Sequence, residues 1–286
     1  MNGVLIIDKP KGITSRDVVN KVMKAFNMKK VGHTGTLDPI ATGILVICVG
    51  NATKLVDDLT CDDKEYIATV ELGTLTNTLD SEGKILNEEK VNISKEDIIN
   101  VLNSFKGSYL QEVPKYSAVK INGKKLYEYA RNNEEVELPK RNVQISSIEL
   151  LDDVIYKENK TIFKFKCTVS KGTYIRSLIR DIAQKLGTIG IMIDLRRIRQ
   201  GNFNIKNSIK IDEISADKLI SIKDILNIKK IELTKDIEKQ VINGAPIDNI
   251  YNLDEILFIK DGKEIAIYKK NNDKLKPYKM FRGGIL

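Results

Sequence analysis

Histidine occurs once and cysteine three times in 286 residues, and no Cys-x-x-Cys pair is present. A structural or catalytic zinc would therefore lack its usual nitrogen and sulfur ligands, and no metal is expected. Cys48, Cys61 and Cys167 are far apart, and Cys48 and Cys167 sit in apolar, strand-like runs, a setting for small buried hydrophobes rather than for a disulfide framework. No apolar run reaches the roughly eighteen residues of a membrane span, so no membrane partner is expected. The stretch from Met1 to Asp8 has no basic segment before its apolar run and no small-residue cleavage site after it. It reads as a strand rather than a secretion signal, which implies a cytoplasmic location. A Gly-x-Gly-x-x-Gly turn after a strand and a Gly-rich loop ending in Gly-Lys-Ser/Thr are both missing, and with them the common cradles for nucleotide phosphates. Internal repeats and low-complexity tracts are absent as well.

What is present is a globular composition: 42% hydrophobic residues, with 30% charged residues of mixed sign. The length suits one large domain with an appendage, or two medium ones. Lysine and arginine number 47 against 39 acidic residues, a net charge of +8, which favours an anionic partner such as nucleic acid. An Ile-, Lys- and Asn-rich composition explains the excess equally well, so the position of the charge has to decide.

Val4 to Ile7 reads as a strand that ends at Asp8-Lys9-Pro10-Lys11-Gly12. Thr14 and Asp17 have capping-box spacing, and Val18, Val19, Val22, Met23 and Phe26 recur on one face, which predicts a helix over 15–26. Gly43 to Gly50 is apolar and β-branched, a strand buried on both faces, after which Asn51 is expected to cap a short helix. A strand follows from Lys64 to Leu72. Ser94 and Asp97 cap a helix whose Ile98, Ile99, Leu102 and Phe105 should face the core. Two β segments, Arg141–Leu150 and Thr161–Ser170, flank a polar loop at 152–160. Thr173 to Leu186 has helical periodicity with Gly187 as its stop, and Ile191 to Ile198 returns as a strand. Beyond Ile228 the pieces are strand-like, including Glu255–Ile259 and Glu264–Tyr268 around an Asp261-Gly262 turn. A small β-rich domain is expected there. Its end concentrates Lys269, Lys270, Lys274, Lys276, Lys279 and Arg282 against one acidic residue, Asp273.

Gly32, Gly35 and Gly43 surround His33, Asp38 and Pro39 in a loop ahead of the buried strand, where glycines permit tight turns or close approach to a ligand. On residue type alone, Asp38-Pro39 fits a helix N-cap with proline at the first helical position as well as it fits a functional carboxylate.

The full run Gly32-His33-Thr34-Gly35-Thr36-Leu37-Asp38-Pro39-Ile40-Ala41-Thr42-Gly43 resembles the catalytic motif of TruB-type pseudouridine synthases. Further segments agree in order: Asp8-Lys9-Pro10-Lys11-Gly12; Lys64-Glu65-Tyr66; Pro114-Lys115-Tyr116-Ser117-Ala118-Val119-Lys120 with Tyr127-Glu128-Tyr129-Ala130-Arg131; and Lys171-Gly172-Thr173-Tyr174-Ile175-Arg176 followed by Leu195-Arg196-Arg197. The likeness spans roughly residues 3–200, with the C-terminal part similar in position and size to the family's PUA-like RNA-binding domain.

This resemblance implies an α+β fold: a mixed, largely antiparallel sheet with flanking helices over 1–228, and a β-rich PUA-like domain over 229–286. Residues 107–137 are similar to an insertion that closes over RNA. It implies a monomeric enzyme that isomerises uridine 55 in the T loop of tRNA to pseudouridine without a cofactor. Asp38 would be the catalytic carboxylate and Arg176 the cation that keeps it ionised. Tyr66 would stack on the base, Tyr174 and Leu195 would wall the pocket, and His33 would fill the space left by the flipped uridine. Lys9, Lys64, Arg196, Arg197 and the basic tail would contact phosphates. Two rivals are a folding factor for RNA without chemistry, and a guide-dependent relative working inside a ribonucleoprotein.

Overall fold

The structure is a computed structural model that describes residues 1–60 and 63–281. Cys61 and Arg282 lie outside the described residues. The apolar N-terminal run forms β1 (Gly3–Lys9), and the Thr14–Asp17 capping box starts α1 (Ser15–Ala25). Val18, Val19 and Val22 on the inner face of α1 pack on Leu5, Ile7, Leu45 and Ile47. A short β2 (Val31–His33) and the buried β3 (Thr42–Val49) follow, and β3 pairs antiparallel with both β1 and β2. Asn51 does not cap a helix. It lies inside a 3-10 turn over Gly50–Leu55 whose cap position, Val49, has no side-chain bond, and its amide donates instead to Asn2 Oδ1 at 2.7 Å. Next come α2 (Val56–Thr60) and the long β4 (Lys64–Leu72).

A small ribbon, β5 (Thr74–Thr76) with β6 (Ile85–Glu88), precedes α3 (Lys95–Asn103), capped by Ser94 as expected. Ile98 and Leu102 of α3 are buried, but Ile99 is exposed because it falls just outside the apolar stripe. Then β7 (Gly107–Glu112) runs along the sheet edge. The chain leaves the sheet after it, makes the tiny hairpin β8 (Lys120–Ile121) and β9 (Lys124–Lys125) and the helix α4 (Leu126–Arg131), and returns where the Val113 amide meets the Pro139 carbonyl. The returning strand β10 (Lys140–Lys157) is longer than the sequence pattern indicates, and its partner β11 (Lys160–Val169) stands one residue earlier than the expected segment. No loose loop separates them: the turn is Glu158-Asn159, both at positive φ. The polar residues of 152–160 mislead because β7 stops pairing at Ile145, leaving that side of β10 at an exposed edge where polar side chains such as Asp152, Asp153 and Lys157 are at home.

After β11 come α5 (Ile175–Lys185), stopped by Gly187 at φ 74°, then β12 (Gly190–Gln200), a stub β13 (Phe203–Asn204) and α6 (Ile222–Ile225). The main sheet runs β1-β3-β12-β4-β11-β10-β7, with β2 and β13 as side pairings. All its pairings are antiparallel except β12 with β3. That parallel contact is close: a Cβ on Gly43, whose φ is 99°, would sit 2.2 Å from the Arg197 carbonyl oxygen. Only glycine fits there.

The C-terminal part holds β14 (Lys229–Glu232), α7 (Lys235–Asn243), β15 (Ile247–Asp248), β16 (Glu255–Lys260), β17 (Lys263–Asn271) and β18 (Lys274–Met280). They form a second sheet in the order β14-β16-β17-β18-β15, with the Asp261-Gly262 turn at positive φ between β16 and β17. The helix α7 is additional to the strand-only reading of this region. The fold is thus α+β, with a mixed main sheet and a small β-rich unit. Leu257, Ile267 and Phe281 from the small unit share one buried cluster with Val4, Ile6, Ile44, Val46 and Leu55 from the main one. Among the described residues no helix is long and apolar enough to cross a membrane.

Candidate active site

The loop over 34–41 carries Asp38, and no helix starts there, so the helix-cap alternative does not hold. Irregular backbone needs partners for its amides and carbonyls, and buried side chains supply them. The Ser15 hydroxyl donates to the Leu37 carbonyl at 3.1 Å and accepts from the Leu37 amide at 2.8 Å. The Gly12 amide donates to the Pro39 carbonyl at 2.8 Å. From β12, Arg197 Nε reaches the Ile44 carbonyl at 2.7 Å and Nη2 reaches the Gly35 carbonyl at 3.0 Å, while Gln200 Nε2 reaches the Thr34 carbonyl at 3.1 Å.

Asp38 meets Arg176 in a two-point contact: Nε to Oδ2 at 2.9 Å and Nη2 to Oδ1 at 3.2 Å. The arginine side chain is 7% exposed and the aspartate 37% exposed, so the cation is sunk in the protein and the carboxylate opens outward. The rest of the guanidinium is also engaged. Nη1 donates to the Thr78 carbonyl at 2.9 Å, Nη2 to the Tyr116 carbonyl at 3.1 Å, and buried Asp80 lies 3.8 Å from Nε. A buried arginine held by carbonyls and two carboxylates stays charged, and its fork fixes the orientation of Asp38.

The pair opens into a cavity of about 480 Å³, lined among others by Tyr66, Tyr116, Tyr127, Tyr174 and Leu195. Adjacent strands supply part of this wall, with Tyr66 on β4 and Leu195 on β12. Tyr174 occupies the residue before α5. Burial pushes its phenol above the ordinary tyrosine value, opposed by the charge of Arg141 and by the Ser117 hydroxyl. Its hydroxyl is therefore protonated at neutral pH. Asp38, Tyr66, Tyr174, Arg176 and Leu195, separate in the sequence, come together in this one cavity.

His33 and Lys9 are placed differently. His33, at the end of β2, does not line the cavity, and its Nδ1 accepts from the Gly35 amide at 3.3 Å. Burial, with the charges of Arg197 and Arg16, lowers its pKa, so the ring is neutral at pH 7. Lys9 is fully buried, and its ammonium donates to the carbonyls of Ile13 at 2.7 Å, Pro10 at 2.9 Å and Pro39 at 3.3 Å. Burial drops its pKa to about 8, and the nearby Asp38 charge opposes that drop. The phosphate-contact expectation for Lys9 is corrected: it ties the 10–13 loop to the residue after Asp38. Arg197, 1% exposed, is likewise a buried support rather than a phosphate contact. Arg196 pairs with Asp8 at 2.6 Å, and Lys64 lines the cavity while donating to the Thr60 carbonyl at 3.0 Å. In the basic tail, Lys269, Lys270, Lys274 and Lys279 each face a carboxylate, those of Glu255, Asp254, Asp248 and Asp58.

The supports Ser15, Asp80 and Gln200, and with them Gln111, whose side-chain amide bonds the Tyr174 backbone, escaped the sequence reading. Ser15, directly after the Thr14 cap, and Asp80, in the turn Leu79-Asp80-Ser81-Glu82-Gly83, left faint local signals. Gln111 and Gln200 left none, because their partners are distant in the chain.

Residues 23–175 match the TruB family pseudouridylate synthase N-terminal domain, and residues 176–230 match the tRNA pseudouridylate synthase B C-terminal domain. The tRNA pseudouridine synthase B of Clostridium tetani is 44% identical over 262 residues, covering 90% of this chain and 89% of that protein. Its counterpart in Mesoplasma florum is 41% identical over 288 residues, covering 99% and 98%. Among solved structures, a chain of a Cbf5-Nop10-Gar1 complex superposes with a TM-score of 0.69 at 26% identity, over 98% of this chain and 84% of that one. The family match and the shared fold place the chain in the pseudouridine synthase class of RNA-modifying isomerases. The chain belongs to the TruB family and is a tRNA pseudouridine synthase.

Proposed function

We propose that the enzyme acts on uridine 55 in the T loop of tRNA and that Asp38 is its catalytic carboxylate. The observation that carries this reading is the two-point Arg176–Asp38 contact at the cavity. The reaction breaks the bond between ribose C1′ and uracil N1, turns the base, forms a bond from C1′ to C5, releases the C5 proton to solvent and returns one proton from solvent to N1. Atoms and electrons balance within the nucleotide, so no oxidant or energy source enters.

Asp38 must be anionic to act as nucleophile or base. Arg176 holds the carboxylate in place through its two-point contact. Tyr66 offers a ring face for the uracil and a phenol for proton transfer at C5, and Tyr174 and Leu195 close the sides. A uridine stacked in folded RNA reaches such a pocket only by turning out of its stack, which costs a few kcal/mol that contacts with the protein must offset. His33, neutral and next to the motif loop, is suited to occupy the vacated place in the RNA.

Residues 1–228 serve as the catalytic domain in this reading, and 229–286 as a PUA-like RNA-binding unit. The excursion that closes over the T loop falls within 107–137. Its first residues, 107–112, are the edge strand β7, so the part free to close begins after Glu112. Lys115 and Lys120 on it are suited to contact phosphates, whereas Lys124 pairs with Glu134 at 2.6 Å. The test is to prepare unmodified tRNA with tritium at C5 of uridine 55 alone, and a second sample labelled at every other uridine. Release from the first and not the second supports the assignment; the reverse contradicts it.

A further inference from the structure

The start of α5 has no side-chain cap of its own, since Tyr174 stands at the cap position without capping. Its backbone is held from another strand. Gln111, at the end of β7 and 1% exposed, accepts from the Tyr174 amide through Oε1 at 2.8 Å and donates to the Tyr174 carbonyl through Nε2 at 3.1 Å. The orientation of this side-chain amide is unambiguous, because a backbone N–H only donates and a carbonyl only accepts. The same Nε2 also donates to the Tyr109 hydroxyl. Two residues beyond the clasped peptide is Arg176. Five residues beyond Gln111 is Tyr116, whose carbonyl takes Arg176 Nη2 at 3.1 Å.

We propose that Gln111 is a positioning residue for the isomerisation: it sets the backbone of Tyr174, and through it the Tyr174 ring and the Arg176 fork that aims Asp38. The proposal rests on the reading of Asp38 and Arg176 as the reacting pair. Gln111 touches no substrate, and its effect falls on the chemical step. A general loosening of the β7–α5 contact is a different effect and can be measured separately. The Ser177 hydroxyl donates to the Glu112 carbonyl at 2.7 Å, a neighbouring grip between the same two elements that does not hold Tyr174.

The test compares full-length wild type, Gln111→Met, Ser177→Ala and Asp38→Asn. The measurements are single-turnover tritium release from saturating C5-labelled tRNA, tRNA affinity, and melting midpoint. Gln111→Met should slow release about 10- to 100-fold, the size of effect caused by misplacing a reacting group by about an ångström. Its tRNA affinity should stay within about threefold, a loss in rate without a loss in binding. Ser177→Ala should melt earlier yet react within about threefold of wild type. If Gln111→Met does not fold, Gln111→Asn, too short by one methylene to span both Tyr174 groups, carries the same comparison. The proposal is overturned if the Gln111 variant reacts at the wild-type rate, if Ser177→Ala slows as much, or if the lost rate follows lost binding. An active Asp38→Asn enzyme removes the underlying reading of the pair, whereas an inactive one beside a fully active Gln111 variant removes only the role of Gln111.

Discussion

Asp38 and Arg176 are 138 positions apart in the chain and 2.9 Å apart in space. At the scale of single residues, the chemistry depends on which side chains are sunk and which are open. Arg176, Arg197 and Lys9 are buried cations bonded to carbonyls, and they form the base on which the more open Asp38 stands. His33 offers a clean measurement because it is the only histidine. Its pKa lies below 6.5, lowered by burial and then by Arg197 and Arg16. A proton NMR titration of its single ring signal should therefore have a midpoint below 6.5. The unfolded chain binds the proton more readily, so this group makes stability fall as pH drops through the folded pKa. Replacing His33 with Gln should flatten the stability profile there, and a midpoint above 6.5 would contradict the buried environment. The motif loop and its carboxylate were readable as a sequence. The reversal of Lys9 and Arg197 from surface contacts to buried supports was not, because burial of a cation depends on distant carbonyls that no local pattern encodes.

At the scale of elements, legibility followed periodicity. The helices α1 and α5 and the strands β3 and β4 carry clean apolar repeats or runs and stand where these predicted. The long hairpin of β10 and β11 was obscured because an exposed strand edge permits the polar residues that otherwise mark a loop. Its turn residues, Glu158 and Asn159, have φ of 52° and 61°, a conformation for which Asn-Gly is the preferred pair. The double change Glu158→Asn and Asn159→Gly should raise stability by about 0.5–1 kcal/mol, since it relieves two left-handed positions. Urea unfolding would show it as a higher midpoint at unchanged slope, and a lower midpoint would place the turn elsewhere. The helix α7 was missed for the opposite reason: it is short, and strand-like neighbours dominated the reading of its surroundings.

At the scale of the whole molecule, the two sheets are joined by a common core rather than by a tether. Leu257 on β16 is fully buried in the cluster that also holds Val4, Ile44 and Val46 of the main sheet. Leu257→Ala should cost about 2–5 kcal/mol and lower the melting of the entire chain in a single transition. Two separate transitions, with only the smaller one shifted, would mean that the small unit folds on its own. The net charge of +8 is also redistributed by the fold. Lys269, Lys270, Lys274 and Lys279 of the basic tail face carboxylates, so part of the tail's positive charge is matched within the protein. The sequence recorded the amount of basic charge but not this pairing, which arises from strand register for Lys269 with Glu255 and Lys274 with Asp248, and from contact with α2 for Lys279 with Asp58.

The central claim is that Asp38, held by Arg176, performs the isomerisation. Its most direct test is Asp38→Asn, a change that preserves shape and removes the charge, assayed for tritium release from C5-labelled tRNA and for tRNA binding on the same preparation. The predicted result is release slowed on the order of a thousandfold or more with binding within a few-fold of wild type. Release at the wild-type rate would contradict the assignment outright.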